Sequence, residues 1–197
     1  HQAIAVQKAA QHALGGVLRQ LIVRMRGPER DARIRRLIEQ ASTRGALVEA
    51  ICAVLVEDQL PNASDWLGLL QTDDPRALVV VLQAWGRVPP SMPEPIIAFL
   101  EHAEPQVRIA AAETLAVHVY THLMANRWTA AQALAIHAAQ SPEFCRAAAH
   151  VCVRARPARA VDWLAAVPVD ADADPQTAES LAEAFEGLGD ARAQPRL

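Results

Sequence analysis

One block of this chain recurs after 30 residues. Trp66, Leu67, Leu69 and Leu70 precede Asp74 and Pro75, and Ile96, Ile97, Phe99 and Leu100 stand in the same places before Glu104 and Pro105. The stretches that follow also align. Ala77, Val81, Trp85 and Val88 match Val107, Ala111, Leu115 and His118. Both series step by four, four and three, which marks one face of a helix. Two weaker copies follow: Leu134 and Ile136, then Pro142, Phe144, Ala148 and Cys152; and Asp162, Trp163 and Leu164, then Asp174, Pro175, Thr177, Leu181, Phe185 and Leu188. A two-helix unit of this size cannot bury both its apolar faces. Stacked copies can, because neighbours then share a continuous core.

Proline sets the punctuation. It fits the first turn of a helix and breaks the interior. Pro28, Pro61, Pro75, Pro105, Pro142 and Pro175 each stand at or near the start of a run that predicts helix. Asp74, Ser141 and Asp174 precede three of them and are of the type that caps free backbone N–H groups. The predicted helices are 2–26, interrupted at Gly15 and Gly16, then 29–41, 46–59, 64–71, 75–87, 93–102, 105–124, 129–140, 142–155, 158–167 and 175–187. Composition agrees. Hydrophobic residues make up 52% and aromatics only 4%, with a single Tyr, so the apolar mass is Ala, Val, Leu and Ile. Ala-rich segments favour helix, and no segment has the pattern of a strand.

The residues Glu104, Pro105, Gln106, Val107, Arg108, Ile109, Ala110, Ala111, Ala112, Glu113, Thr114, Leu115 and Ala116 resemble the second helix of a HEAT repeat. The shared features are an acid-Pro turn, Val-Arg, Ala, then Leu and a small residue. The stretch 74–86 resembles it less closely, with Leu78 where Arg is usual. The resemblance is good over 64–123 and looser to 188. It implies an all-α fold: a short α-solenoid of stacked antiparallel helix pairs over 61–188, an N-terminal helical cap over 1–60 and a flexible tail over 189–197. It says little about activity, because such arrays serve many roles.

Charge is unevenly spread. Residues 1–45 hold nine basic and three acidic residues, a net +6; the rest holds ten and nineteen, a net −9. The overall −3 argues against a general nucleic-acid binder. The longest apolar run, 46–56, contains Glu49 and is too short to span a bilayer. Cys52, Cys145 and Cys152 are an odd set with no framework spacing, which predicts free buried thiols in a reducing, cytoplasmic setting. The chain starts at His1 rather than Met and reads as an excerpt of a longer protein.

Several constellations invite chemistry. His118 and His122 are four apart on one helix and could chelate a metal, but the general-base Glu of a metalloprotease helix is missing and His118 holds a core place in the repeat. A packed, hydrogen-bonded histidine is expected. Cys145, His150 and Cys152 match no zinc spacing. HEAT-like di-iron hydroxylases use His-Glu pairs, and this sequence has none. HEAT-like DNA glycosylases are the alternative reading. They would draw on Trp66, Trp85, Trp128 and Trp163 with Asp65 and Asp162, yet three of these indoles fall at core positions. The expectation is therefore a non-enzymatic scaffold without metal or cofactor, binding a protein partner through an acidic surface of that partner. Its candidate binding residues are Arg24, Arg26, Arg30, Arg33, Arg35 and Arg36. Arg26, Arg30 and Arg33 would share a helical face.

Overall fold

A computed structural model describes residues 13–22, 27–41, 45–60, 63–70, 72–88, 93–168 and 174–189. Among these, every regular element is a helix and none is a strand. The chain divides into two units, His1–Met92 and Pro93–Leu197.

The first unit holds α1, described over 13–22, α2 (Pro28–Ala41), α3 (Gly45–Glu57), α4 (Ala63–Gly68) and α5 (Pro75–Trp85). The apolar helix α3 lies at its centre, packed on α2, α4 and α5, and buries Val48, Ile51, Val54 and Leu55. Helix α1 runs unbroken through Gly15 and Gly16, where the sequence predicted an interruption. Two glycines weaken a helix by about 1 kcal/mol each. Here Leu18 and Ile22 are buried, and Arg19 bonds both carboxylate oxygens of Asp58 (3.1 and 2.8 Å) and also reaches Glu57, which anchors the segment.

The second unit opens with α6 (Glu94–Ile97), which tightens into a 3-10 turn over Ala98–Glu101, where one continuous helix was predicted. Then come α7 (Pro105–Met124), α8 (Trp128–Gln140), α9 (Pro142–Ala155), α10 (Ala160–Ala165) and α11 (Pro175–Leu188). Helix α7 lies on α9, and α9 on α11, while α8 packs on α7 and α9 and also touches α10. Helices α9 and α11 run parallel. Arg146 donates to Gln176 Oε1 at their first turns (2.8 Å) and Arg156 to the Gly187 carbonyl at their ends (3.0 Å). A Cβ on Gly187 would meet Val153 Cγ1 at 3.0 Å, so the missing side chain permits the close approach. Helix α7 starts beside α9, joined by the Arg108–Glu143 ion pair at 3.0 Å.

The capping residues act as predicted. Asp74 accepts from Arg76 N (3.0 Å), Ser141 from Phe144 N (3.3 Å) and Asp174 from Gln176 N (2.8 Å). The repeat register also corresponds to burial. Ala77, Val81, Trp85 and Val88 are buried, as are Val107, Ala111, Leu115 and His118. Two predicted apolar places depart from it. Leu69 lies in the turn after α4 and is exposed, and Ile136 points outward from α8.

Candidate functional site

The basic helix is real, but its arginines do not act as one group. Of the six candidate residues, Arg24 and Arg26 lie outside the described residues. Helix α2 buries Ile34, Ile38 and Ala41, which turns Arg33, Arg35 and Arg36 outward and leaves Arg30 half-buried. Arg30 Nε approaches Asp31 Oδ1 at 3.5 Å, a long and partly exposed pair. The Arg35 guanidinium lies 5.7 Å from the centre of the Trp66 ring on α4, within reach of a cation–π attraction. That leaves Arg33 and Arg36, three apart on the open side of α2, without a partner among the described residues. The surface is thus narrower than the run of arginines implies, because two of its members make contacts within the chain.

The histidine pair is buried in the second unit. His118 and His122 sit edge to face on α7 with ring centroids 6.5 Å apart. Neither ring nitrogen of His118, nor Nδ1 of His122, has a hydrogen-bond partner among the described residues. The expected hydrogen-bonded histidine is therefore a buried but unpaired one. Burial pushes the His118 pKa down to about 4, reinforced by His122 and opposed by Glu94. Burial, followed by the Arg127 charge, lowers that of His122. Both rings are thereby held neutral near pH 7. Among the described residues, no three His, Cys, Asp or Glu side chains converge as metal ligands.

The three cysteines are free and buried. Burial pushes the Cys52 and Cys152 thiols up to about 12 and Cys145 to about 11, so thiolate is scarce at neutral pH. The indoles divide likewise. Trp66, Trp85 and Trp163 are core residues; Trp85 donates to Ser64 Oγ (2.9 Å) and Trp163 to the Ala131 carbonyl (2.7 Å). Trp128 is half-buried beneath the Arg159 guanidinium (3.8 Å), which also pairs with Asp162 (3.4 Å). Asp65 is exposed on the short helix α4.

A second surface was not singled out from the sequence. The fourth, eighth and twelfth residues after Pro105, Pro142 and Pro175 are Ile109, Glu113 and Val117; Arg146, His150 and Arg154; and Glu179, Glu183 and Gly187. All nine are exposed. Three helices packed in a row therefore present lines of different chemistry: apolar about Glu113 on α7, two arginines and a histidine on α9, and two glutamates followed by Gly187 on α11. Alignment on the helix-starting prolines contains this signal, once it is known that this register escapes burial.

No described helix is long and apolar enough to cross a membrane. Comparison of the chain with known protein families, with curated proteins and with solved structures finds no match.

Proposed function

We propose that this chain is a non-enzymatic helical-repeat scaffold of the HEAT-like kind, cytoplasmic, that binds a protein partner as part of a larger assembly. The observation that carries the reading is the packing in the second unit, where α7 lies on α9 and α9 on α11, each on the helix two places further along the chain. In a solenoid, helix pairs stack this way and leave a continuous open surface suited to binding. The inert character of the buried thiols and the core positions of three of the four indoles fit a structural use of residues that would otherwise suggest chemistry. The arginines of α2 supply one contact, for an acidic patch of the partner, through Arg33 and Arg36 with Arg24 and Arg26 of the same run.

The test is affinity capture at low salt, followed by mass spectrometry, with wild-type protein and with the double variant Arg33→Glu, Arg36→Glu. The expected result is a specific protein partner whose recovery falls with the variant and with added salt, since exposed charges are screened, while helicity by circular dichroism stays unchanged. Recovery of no specific partner, or turnover of a substrate by the purified protein, overturns the scaffold reading. A partner retained equally by the variant removes the arginines from it.

A further inference from the structure

We infer that the row formed by α7 and α9 is a docking groove for an amphipathic, acid-flanked helix of a partner protein. The inference rests on the scaffold reading above and names the partner's chemistry at a different surface from α2.

Helix α7 is the most enclosed long helix of the second unit, packed by the 3-10 turn, α6, α8 and α9, and most of its side chains are buried. On its one open stripe, Ile109 is 47% exposed, Val117 38% and Met124 59%. Residues 109, 117 and 124 fall within one arc of about 80° on the helix, an arc that also holds the exposed Glu113 and the half-buried Tyr120. Large apolar side chains scattered singly need no explanation, whereas these three share one exposed arc of a helix whose other faces are packed. At 1.5 Å per residue the stripe is about 22 Å long, which matches about four turns of a partner helix.

The charges beside it decide what that helix carries. On α9 the equivalent line is Arg146, His150 and Arg154, all exposed. Arg146 bonds the neutral amide of Gln176, and Arg154 has no partner among the described residues. Arg108 does not add to this charge, because Glu143 already neutralises it at 3.0 Å. An acidic flank on the partner would meet Arg146 and Arg154. The next helix, α11, carries Glu179 and Glu183 in the same register, with Glu186 also exposed. It repels such a flank and confines the partner to the α7–α9 side, an element of specificity by repulsion. Glu113, between Ile109 and Val117, calls for an amide or basic residue at the middle of the partner's apolar face.

The probe is a displayed library of helical peptides of about four turns, with both flanks randomised among Glu, Lys, Gln and Ser. Selection on the full chain should enrich peptides with apolar residues at three-to-four-residue spacing and Glu along one flank. Their affinity should fall by about tenfold or more with Val117→Glu, as for a central apolar contact, and also with Arg154→Glu. The Arg33→Glu, Arg36→Glu variant should bind them as wild type does. Both substituted positions in the groove are exposed, so the variants should keep their helicity. Enrichment of a Lys flank, of no helical peptide, or of peptides indifferent to both substitutions overturns the groove. Self-association abolished by Val117→Glu would assign the face to a second copy and also overturn it. If peptides fail here while a captured partner still responds to the α2 reversal, the groove is wrong and the scaffold reading stands. If both fail, the scaffold reading fails with it.

Discussion

Helices α5 and α7 start from the same spacing of buried residues and fill it with different chemistry. Trp85 ends α5 and Val88 lies just beyond it; in α7 the same two places hold Leu115 and His118. Each copy of the register thus buries a ring that carries a polar group, Trp85 in one and His118 in the other. In α5 the indole N–H is satisfied by Ser64 Oγ at 2.9 Å. In α7 the imidazole finds no partner among the described residues. The shared spacing marks where side chains are buried, and each helix settles separately whether what it buries is paired. Paired buried polar groups are close to neutral for stability, while unpaired ones cost free energy.

The largest effect should come from emptying the paired site. Trp85 packs against α4 so closely that a Cβ on Gly68 would touch its ring at 3.4 Å. Trp85→Ala removes that packing and the indole donor to Ser64 Oγ, and should cost about 3–5 kcal/mol in a urea or guanidinium unfolding curve. Ser64→Ala should cost less, about 1–3 kcal/mol, because the ring stays in place while its N–H loses a partner. If the two substitutions cost the same, packing of the indole is not what holds α4 to α5.

The unpaired site should show itself through pH. The His118 pKa is about 4 in the folded chain, against 6.5 for an unperturbed imidazole. Between those values the unfolded chain binds more protons than the folded one, so stability falls as pH falls through that window and is fully retained above it. The whole shift corresponds to at most about 3.5 kcal/mol. His122, lowered by burial and by Arg127, pulls in the same direction, while Glu94 tempers it at His118. His118→Leu should flatten most of the slope between pH 6.5 and 4 and raise stability near neutral pH. An unchanged slope in that variant would show that other groups carry the acid sensitivity.

These two helices also show what the sequence makes legible. The series from Ala77 to Val88 and from Val107 to His118 could be read as buried because steps of four, four and three describe a helix face without any tertiary knowledge. Leu69 and Ile136 misled the same reasoning. Hydrophobicity shows that a residue can be buried, while a turn or an outward face decides that it is not. The arginine run was legible as charge, yet the engagement of Arg35 with Trp66 depends on a helix more than 20 residues away in the chain. The open row of α7, α9 and α11 lay hidden for a related reason. Its residues, Ile109, Arg146 and Glu179 among them, share no chemistry, so only their common register and common exposure reveal them as one surface.

The smallest effect tests the turns that begin the two helices. Both read as acid-Pro in the sequence, Asp74 before Pro75 and Glu104 before Pro105. The shorter Asp74 side chain reaches back to accept from Arg76 N at 3.0 Å. Glu104 makes no capping bond, and its turn is held in another way: its N–H donates to His102 Nδ1 at 3.1 Å, and Arg108 donates to the carbonyls of His102 and Ala103 at 3.1 and 3.2 Å. Asp74→Ala should therefore cost about 1 kcal/mol, the ordinary price of a lost cap. Glu104→Ala should cost no more than about 0.5 kcal/mol, as expected for a surface position without such a role. Arg108→Ala should cost more than Glu104→Ala, since it also releases Glu143. Although partial burial disfavours that carboxylate, hydrogen bonding and charge from Arg108, with a backbone bond and Arg146, hold its pKa below the usual range. Equal losses for Asp74→Ala and Glu104→Ala would mean that the two turns are capped alike, and that this difference between the repeats does not exist in solution.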